Sequence, residues 1–449
     1  MLSGTRVHLI GIGGEGMSAL AELLLAQGLS VSGSDIRPEA LEGLRDSGAE
    51  VFGGHRPENV ADAEVVVYSS AIPPWNPELS EARRQGIPVL PRLIALRDLL
   101  QGKRLIAVCG THGKTTTATW TSYLLSPLGA GRYLGARVQG WDRAQWGSSS
   151  WFVAEVDESD GLFRHLEPEI VVITNVDADH LDTYGDFQCL KRSFLELALR
   201  ARRVVLCYDD PGARDLLGKL SREKAITYGL GPEADVRAVA ITPAGRETGF
   251  QVLLRGRTVG WAEIPAFGDH NVANALAALT VGYILGLPFQ EMLARAKGFP
   301  LPKRRLEIVE ENGYLVVDDY AHHPREIRAG IRGLRRGWPG RRILALFQPH
   351  RFSRTARLAQ ELGEALSWAD LAVVTGIYGA FEERLPGISG EEVAAAARSA
   401  GGRALYIPDK NTALMALLER ARPGDILVGF GAGDIWRFTR AIPGLLGSS

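Results

Sequence analysis

The sequence predicts an α/β protein of three successive domains, each built on a mostly parallel sheet. Three observations carry that expectation. A strand-like run, a glycine-rich turn and a helical stretch open the chain, and the same succession recurs near residue 105. Beyond the Phe299-Pro300-Leu301-Pro302 linker, short apolar runs alternate again with helical stretches. A length of 449 residues leaves room for several separate cores.

The first segment, 1–102, begins with a strand at 7–10, a glycine turn, a helix over 17–27 and a strand over 29–32. Further strands are expected at 65–68 and 88–90. The stretch 72–77, with Pro73, Pro74 and Pro77, is read as loop, because proline removes a donor and restricts the residue before it. The second segment, 103–301, carries strands at 105–108, 151–155, 170–174 and 204–207 and a helix over 187–202. Residues 236–264 are short β-type runs broken by glycine, read as an antiparallel addition before a helix at 272–285. The third segment, 302–449, places strands at 315–317, 343–347, 371–375 and 426–429 between helices, another doubly wound sheet.

Composition narrows the function. Apolar residues make up 45% and charged residues 23%, with a formal charge of −1, which argues against broad attraction to nucleic acid or an anionic membrane. Cys109, Cys189 and Cys207 have no C-x-x-C spacing and read as reduced thiols rather than zinc ligands. The start lacks a basic segment followed by an apolar one, and the longest apolar stretches are too short and polar to span a bilayer. A cytoplasmic chain with no membrane insertion is expected; its assembly, monomer or homodimer, is left open.

The sharpest motif is Gly110-Thr111-His112-Gly113-Lys114-Thr115-Thr116-Thr117, between an apolar strand and a helix. Glycines let backbone N–H groups curl round a phosphate, the helix amino end adds positive potential, and Lys114 reaches the β- and γ-phosphates. Thr115 is placed to offer its hydroxyl to Mg²⁺. Two residues separate Gly110 from Gly113-Lys114, where the usual P-loop has four. The earlier turn, Gly11-Ile12-Gly13-Gly14-Glu15-Gly16, fits G-x-G-x-x-G with Asp35 where a ribose-binding acid would stand. It points to a nucleotide diphosphate without naming one.

Two acidic runs, 155–160 and 174–180, each follow a strand, and carboxylates there suit hard cations beside a triphosphate. His180 closes the second run. The third segment supplies Asp318-Asp319-Tyr320-Ala321-His322-His323 and Gln348-Pro349-His350-Arg351-Phe352-Ser353-Arg354, again after strands, where arginine can pair with carboxylate or phosphate.

Read together, HLIGIGGEGMSALAE (8–22), YSSAIPPWNPE (68–78), GTHGKTTT (110–117), VAEVDESDG (153–161), TNVDADHLDTY (174–184), GDHNVANALAA (268–278), VDDYAHHP (317–324) and FQPHRFSRT (347–355) resemble the Mur ligase family, in its alanine-adding branch. The resemblance implies a Rossmann-like UDP-sugar domain at 1–102, a central P-loop ATPase at 103–301 and a Rossmann-like amino-acid domain at 302–449. It implies ATP-dependent joining of L-alanine to UDP-N-acetylmuramate through an acyl phosphate. The UDP-sugar would meet Gly11, Gly13, Gly14, Asp35, His55, Ser69 and Ser70. Thr115, Glu155 and His180 would hold Mg²⁺. ATP would meet Gly110 to Thr116, with Asn271 and Asn274 on the adenine side and Arg305 and Asp319 closing from the third segment. Tyr320, His322, His350 and Arg351 would surround the amino acid, and Lys114, Glu155, His180, His322 and Arg351 would be catalytic. Several Mur ligases use a carbamoylated lysine in the helix after the His180 motif. The alanine-adding branch lacks it, and here Lys191 stands too early, with Phe194-Leu195-Glu196 in its place. Arg304 and Arg305 compete for the phosphate.

The rivals are distinct. A muropeptide-recycling ligase would add a tripeptide to the same UDP-sugar. A folate polyglutamate ligase has no use for the first segment, and an NAD-dependent oxidoreductase leaves the second glycine turn unexplained. A catalytically inactive UDP-sugar sensor would be expected to lose Lys114 or Glu155, and both are present.

Overall fold

The computed structural model describes residues 5–37, 41–380 and 382–446. Three sheets follow one another along it. The first holds β1 (Arg6–Ile10), β2 (Ser30–Asp35), β3 (Glu50–Gly53), β4 (Val65–Tyr68) and β5 (Val89–Pro91), in the order β3-β2-β1-β4-β5. All its pairs are parallel. The order reverses at β1, so β1 and β4 open a crevice at their carboxyl ends, where α/β sheets bind ligands.

The second sheet holds β6 (Arg104–Cys109), β7 (Gly131–Tyr133), β8 (Ala144–Gln145), β9 (Trp151–Glu155), β10 (Ile170–Ile173), β11 (Arg203–Cys207), β12 (Ala225–Gly229), β13 (Val236–Ala244), β14 (Glu247–Leu254) and β15 (Arg257–Ile264). Its order is β15-β14-β13-β12-β11-β10-β6-β9-β7-β8. Turns at Gly245-Arg246 and Arg255-Gly256 join β13, β14 and β15, and so short a connection can link only antiparallel neighbours. The antiparallel addition is therefore where the sequence placed it.

The third sheet holds β16 (Glu307–Asn312), β17 (Tyr314–Asp319), β18 (Ile343–Phe347), β19 (Leu371–Val374), β20 (Ala404–Tyr406) and β21 (Ile426–Phe430), in the order β16-β17-β21-β18-β19-β20. Only β16 runs antiparallel. Alternate residues of its strands feed two cores. Leu315, Val317, Ile343, Ala345 and Phe347 pack on one face, and Val316, Leu344, Leu346 and Leu427 on the other. Burial on both faces explains why these strands read as continuous apolar runs.

The chain forms two compact units. One comprises Met1–Ala240, Phe250–Ala262 and Ala273–Pro300, and the other Ile241–Gly249, Glu263–Val272 and Leu301–Ser449. Within the first unit one apolar core runs from Val7 and Leu9 through Tyr133, Phe152 and Phe163 to Phe194, and a second gathers Ile10, Val60, Val66, Leu79 and Ala82. Among the described residues, no helix is long and apolar enough to cross a membrane.

Local readings shift at element ends. The first helix, Glu15–Ala26, starts two residues before the expected 17, directly after Gly14 as its N-cap. Pro77, expected in a loop, is the first residue of the helix Pro77–Gln85; Asn76 caps it, accepting from the N–H groups of Glu78 and Leu79. Proline suits that first position because its missing donor would be unpaired there anyway. The strands β3, β7, β8, β12, β16 and β20 were not placed from the sequence; β7, β8 and β20 have only two or three residues, and β16 carries Glu307, Glu310 and Glu311 in place of an apolar run.

Gly33 shows how tightly the first turn is set. A Cβ on it would lie 2.6 Å from Ile12 Cδ1 and 2.7 Å from the Leu9 carbonyl, because Ile12 folds back over β2. Gly33→Ala is expected to cost about 1–3 kcal/mol through overpacking. Urea denaturation checks this, and an unchanged midpoint would mean the turn has slack.

Candidate active site

The first glycine turn sits in the β1–β4 crevice. Gly11 adopts φ 80°, and the Gly11 and Ile12 N–H groups both donate to the Ser34 carbonyl, at 2.8 and 3.0 Å. The Gly13 N–H donates to Asp35 Oδ2 at 3.0 Å, and Asp35 Oδ1 accepts from the Arg37 N–H at 3.0 Å. Asp35 therefore braces the turn as well as ending β2. Gly14 caps the helix Glu15–Ala26, whose free amino-end N–H groups suit an anion. Across the crevice Ser69 and Ser70 follow β4; Ser69 Cβ lies 3.5 Å from where a Gly11 Cβ would stand, and Ser70 is exposed.

His55 lies beneath this turn. Its Nδ1 is 2.9 Å from Ser34 Oγ and 3.2 Å from Glu78 Oε2. Glu78 is fully buried and also accepts from the Ser34 hydroxyl at 2.6 Å and Asn59 Nδ2 at 2.5 Å. Burial opposes its charge, but bonds from His55, His8, Ser34 and Asn59 hold the carboxyl well below the usual carboxylate range. Sequence reasoning missed Glu78, which reads as an ordinary first-turn acid of a helix. It is instead the charge under the donor turn.

The second glycine turn crosses the carboxyl ends of β6 and β10. Gly110 has φ 125°, and a Cβ there would stand 2.2 Å from Thr174 Oγ1. No residue but glycine fits so close an approach. The Thr174 hydroxyl and Asn175 Nδ2 both donate to the His112 carbonyl, at 2.6 and 2.8 Å, while Asn175 Oδ1 accepts from the His112 N–H at 2.8 Å. Thr111 Oγ1 accepts from the Asp177 N–H at 2.9 Å, and His112 Nε2 lies 3.4 Å from Asp177 Oδ2. Gly113, at φ 79°, caps the helix Lys114–Leu125, and the Thr117 hydroxyl donates to Asn274 Oδ1 at 3.1 Å. Thr116 is buried in the first turn of that helix.

Charges converge here. Lys114 Nζ donates to Glu158 Oε2 at 2.7 Å and to the Thr111 carbonyl at 3.2 Å. Burial works against its ammonium, but the carboxylates of Glu158, Asp157 and Glu155 outweigh it and raise the lysine pKa. Thr115 Oγ1 donates to Glu155 Oε1 at 2.8 Å, and Glu155 Oε2 accepts from the Gly135 N–H at 2.7 Å. His180, in the left-handed region at φ 52°, lies against other acids than Glu155: its Nε2 is 3.9 Å from Glu158 Oε1 and 3.8 Å from Asp179 Oδ2. Ligand atoms of Asp157, Glu158 and His180 all fall within 4.8 Å of one another. Glu158 stood inside the acidic run, but only the fold shows it to be the lysine's partner. Lys191, in the helix Phe187–Arg200, is tied to Asp215 at 2.6 Å.

The second compact unit gathers the third-segment candidates at the carboxyl ends of β17, β18 and β21. His322 and His350 lie 5.7 Å apart between ring centroids, Tyr320 packs edge-on against His322, and His350 stacks on Tyr378 at 5.6 Å. Burial, with His322, Arg354, Arg351 and Arg304 nearby, pushes His350 down to about 2, so the ring is neutral. Arg351 takes φ 69° ahead of the helix Phe352–Leu366, its N–H donating to the Tyr378 carbonyl at 2.8 Å. Arg304 is committed internally, donating to the carbonyls of Gly431 and Gly433 with Nε 3.4 Å from the buried Asp318. Arg305 has Glu326 at 4.0 Å and lies over Tyr320. Asn271 belongs to this unit, its Nδ2 donating to the Phe267 carbonyl at 2.9 Å.

Comparison with known proteins shows the family. Family models match in three stretches: Mur ligase family, catalytic domain, over 6–104; Mur ligase middle domain over 108–282; and Mur ligase, glutamate ligase domain, over 304–433. The chain is 40% identical over 452 residues to a UDP-N-acetylmuramate--L-alanine ligase of Dinoroseobacter shibae, covering 98% of this chain and 97% of the relative. It is 42% identical over 441 residues to the protein of that name from Geotalea uraniireducens, covering 96% of each. Among solved structures it is similar to UDP-N-acetylmuramate-alanine ligase from Thermotoga maritima, with a TM-score of 0.85 and 28% identity over 99% of this chain and 100% of the other. A murein peptide ligase from Psychrobacter arcticus superposes with a TM-score of 0.71 over 99% of each chain; its 23% identity speaks for the fold alone.

Asp319 gives this site a pH signature. Burial, only partly offset by Arg305, pushes its carboxyl up to about 7, from an ordinary value of 3.8. Folding then takes up a proton between these values, so the contribution of Asp319 to stability is full below about pH 4 and lost as pH rises to about 7. The melting temperature of the wild type minus that of Asp319→Asn is expected to fall across that window and level off above it. A flat difference would mean the carboxyl ionises normally.

Proposed function

The chain belongs to the Mur ligase family, and from that membership we propose that it joins L-alanine to UDP-N-acetylmuramate in an ATP-dependent amide-bond ligation that builds a peptidoglycan precursor. The observation that carries the proposal is the pairing of two glycine turns in one compact unit. The turn at Gly110 has a half-buried lysine and facing carboxylates, and the turn at Gly11 has an acid-braced diphosphate cradle. One turn suits a nucleotide that reacts, the other a nucleotide that is held. The three working parts would be 1–102 for the UDP-sugar, 103–301 for ATP and 302–449 for the amino acid, in a cytoplasmic enzyme.

The chemistry follows from these parts. A carboxylate oxygen of the muramic acid attacks the γ-phosphorus of ATP, the bond to the bridging oxygen breaks, and ADP and an acyl phosphate form. Lys114 exchanges Glu158 for phosphate oxygens as the triphosphate enters, so that its charge meets the transferring group. The neutral amine of alanine then attacks the acyl carbon; phosphate leaves and the nitrogen gives up its proton. Thr115 and Glu155, paired hard oxygen donors, and His180 beside the unpartnered Glu158 Oε1 fit a divalent cation, and Mg²⁺ there would neutralise phosphate charge. Asn271 and Asn274 would face the adenine side, and Arg305 rather than the internally bonded Arg304 would meet phosphate, beside Asp319. Tyr320, His322, His350 and Arg351 would enclose the amino acid. His350, neutral and weakly basic, would form part of the wall and not the base.

Phosphate release with UDP-N-acetylmuramate, with and without L-alanine, tests the reading, with mass spectrometry of the product. Alanine-dependent release is expected, glycine should be slower by about 10- to 200-fold, and an L-Ala-γ-D-Glu-diaminopimelate tripeptide should be slower still. A preference for the tripeptide would make this the recycling ligase. Lys114→Ala is expected to abolish turnover while calorimetry finds UDP-sugar binding intact. Loss of both by a folded variant would sink the two-turn layout.

A further inference from the structure

Residues remote in sequence meet at the helix that follows the first glycine turn. A Cβ on Gly16 would stand 2.3 Å from Arg92 Nη1 and 2.9 Å from the Tyr133 hydroxyl. That hydroxyl donates to the Gly16 carbonyl at 2.9 Å. Tyr133 ends β7, and two residues further on the Gly135 N–H holds Glu155 Oε2, whose other oxygen takes the Thr115 hydroxyl. A continuous path thus runs from the donor turn, through Tyr133–Gly135, to the first turn of the phosphate-binding helix. Arg92 closes a second path. Its guanidinium, packed against Gly16, has Nη2 3.7 Å from Asp157 Oδ2, in the acid loop beside Lys114.

These links span two sheets. The glycine turn belongs to the first sheet, Glu155 ends a strand of the second with Asp157 just beyond it, and the reaction needs the reacting atoms of the two substrates these turns hold within about 3–3.5 Å of one another. A cation close to the amino end of a helix is unfavourable unless an anion offsets it, and Asp157 is the carboxylate that does so here. Gly135 is as constrained as Gly16: a Cβ on it would come within 2.7 Å of the Glu155 carboxylate. Arg143, which donates to Glu22 at 2.7 Å and Glu15, fastens the more exposed side of the same helix.

We infer that Arg92 and Tyr133 are positioning residues that set the reach from the UDP-sugar turn to the phosphate-binding turn, and that residue 16 is glycine because the guanidinium and the phenol fill its side-chain space. The inference rests on the ligase reading above. Neither residue need touch substrate. Loss of either leaves both turns intact and misaligns them, so acyl-phosphate formation falls while binding of each substrate persists.

The test uses full-length Arg92→Ala, Arg92→Lys, Tyr133→Phe, Gly16→Ala and the Gly16→Ala/Arg92→Ala double variant. Turnover is measured with saturating substrates, and calorimetry follows UDP-N-acetylmuramate and a non-hydrolysable ATP analogue separately. Arg92→Ala and Tyr133→Phe are expected to lower kcat by about 10- to 100-fold, the scale of a misplacement near 1 Å, with both dissociation constants unchanged. Arg92→Lys should recover part of the loss. Gly16→Ala should behave as Arg92→Ala does, and the double variant should lose less than the product of the two single losses, because the methyl then enters space the guanidinium has left and meets only the Tyr133 hydroxyl. Wild-type kcat in Arg92→Ala and Tyr133→Phe overturns the inference. So does joint loss of both affinities with a lowered melting temperature, the mark of a merely structural role, or a double variant whose losses multiply. If Arg92→Ala does not fold, Tyr133→Phe and Arg92→Lys decide by the same criteria. A wild-type chain that binds both nucleotides but never ligates would overturn the ligase reading itself.

Discussion

The close approach of Gly110 to the end of β10 is the constraint on which the second glycine turn and the helix after it depend. With Thr174 Oγ1 2.2 Å from the place of a Cβ, the turn lies directly on the neighbouring strand's exit. The Thr174 and Asn175 side chains can then hold both polar groups of His112. That clamp fixes where the helix Lys114–Leu125 begins, and so where Lys114 and Thr115 point. Backbone rigidity here stands in for the two residues by which the loop is shorter than the usual P-loop.

Charge pairing completes what the backbone begins. Of Lys114, Glu158, Asp157 and Glu155 only Glu158 is fully buried, and its carboxylate left unpaired there would be strongly destabilising. Lys114 settles the matter by binding Glu158 at 2.7 Å. In the proposed reaction an entering triphosphate would take the place of Glu158 in that pair. Glu78 plays a comparable part in the first sheet, where its buried carboxylate holds Ser34, whose carbonyl in turn holds Gly11 and Ile12. In both places a buried acid stands beside the glycine turn and anchors one of its neighbours, Ser34 in the first and Lys114 in the second.

Much of this was legible in the sequence, for physical reasons that differ by residue. β9 and β18 were readable to their ends because they are central, apolar strands bounded by polar turns. The two glycine turns were readable because a phosphate cradle requires glycine at fixed offsets. Partnerships were not readable. Nothing local in Glu78, Arg92 or Tyr133 separates them from helix and strand residues of ordinary kind; their meaning lies in neighbours 44, 76 and 117 positions away at Ser34, Gly16 and Gly16. The choice between Arg304 and Arg305 was equally hidden, since adjacent arginines differ only in what the fold sets beside each.

The second unit makes the same point with aromatic rings. Tyr320, His322, His350 and Tyr378 come from the ends of different strands and from a loop, yet their rings form a run in which each packs on the next. Arginines crowd that run, and a protonated imidazole among them would add like charge in a desolvated place. His350 answers by staying neutral, at about 2, which leaves one ring nitrogen without a proton and Arg354 Nη1 3.1 Å from Nδ1. A lysine or a charged histidine at that position would repel the guanidinium it now receives. The clustering of histidine and arginine that marked this segment as functional therefore includes one member, His350, that gives up its charge beside arginines that keep theirs.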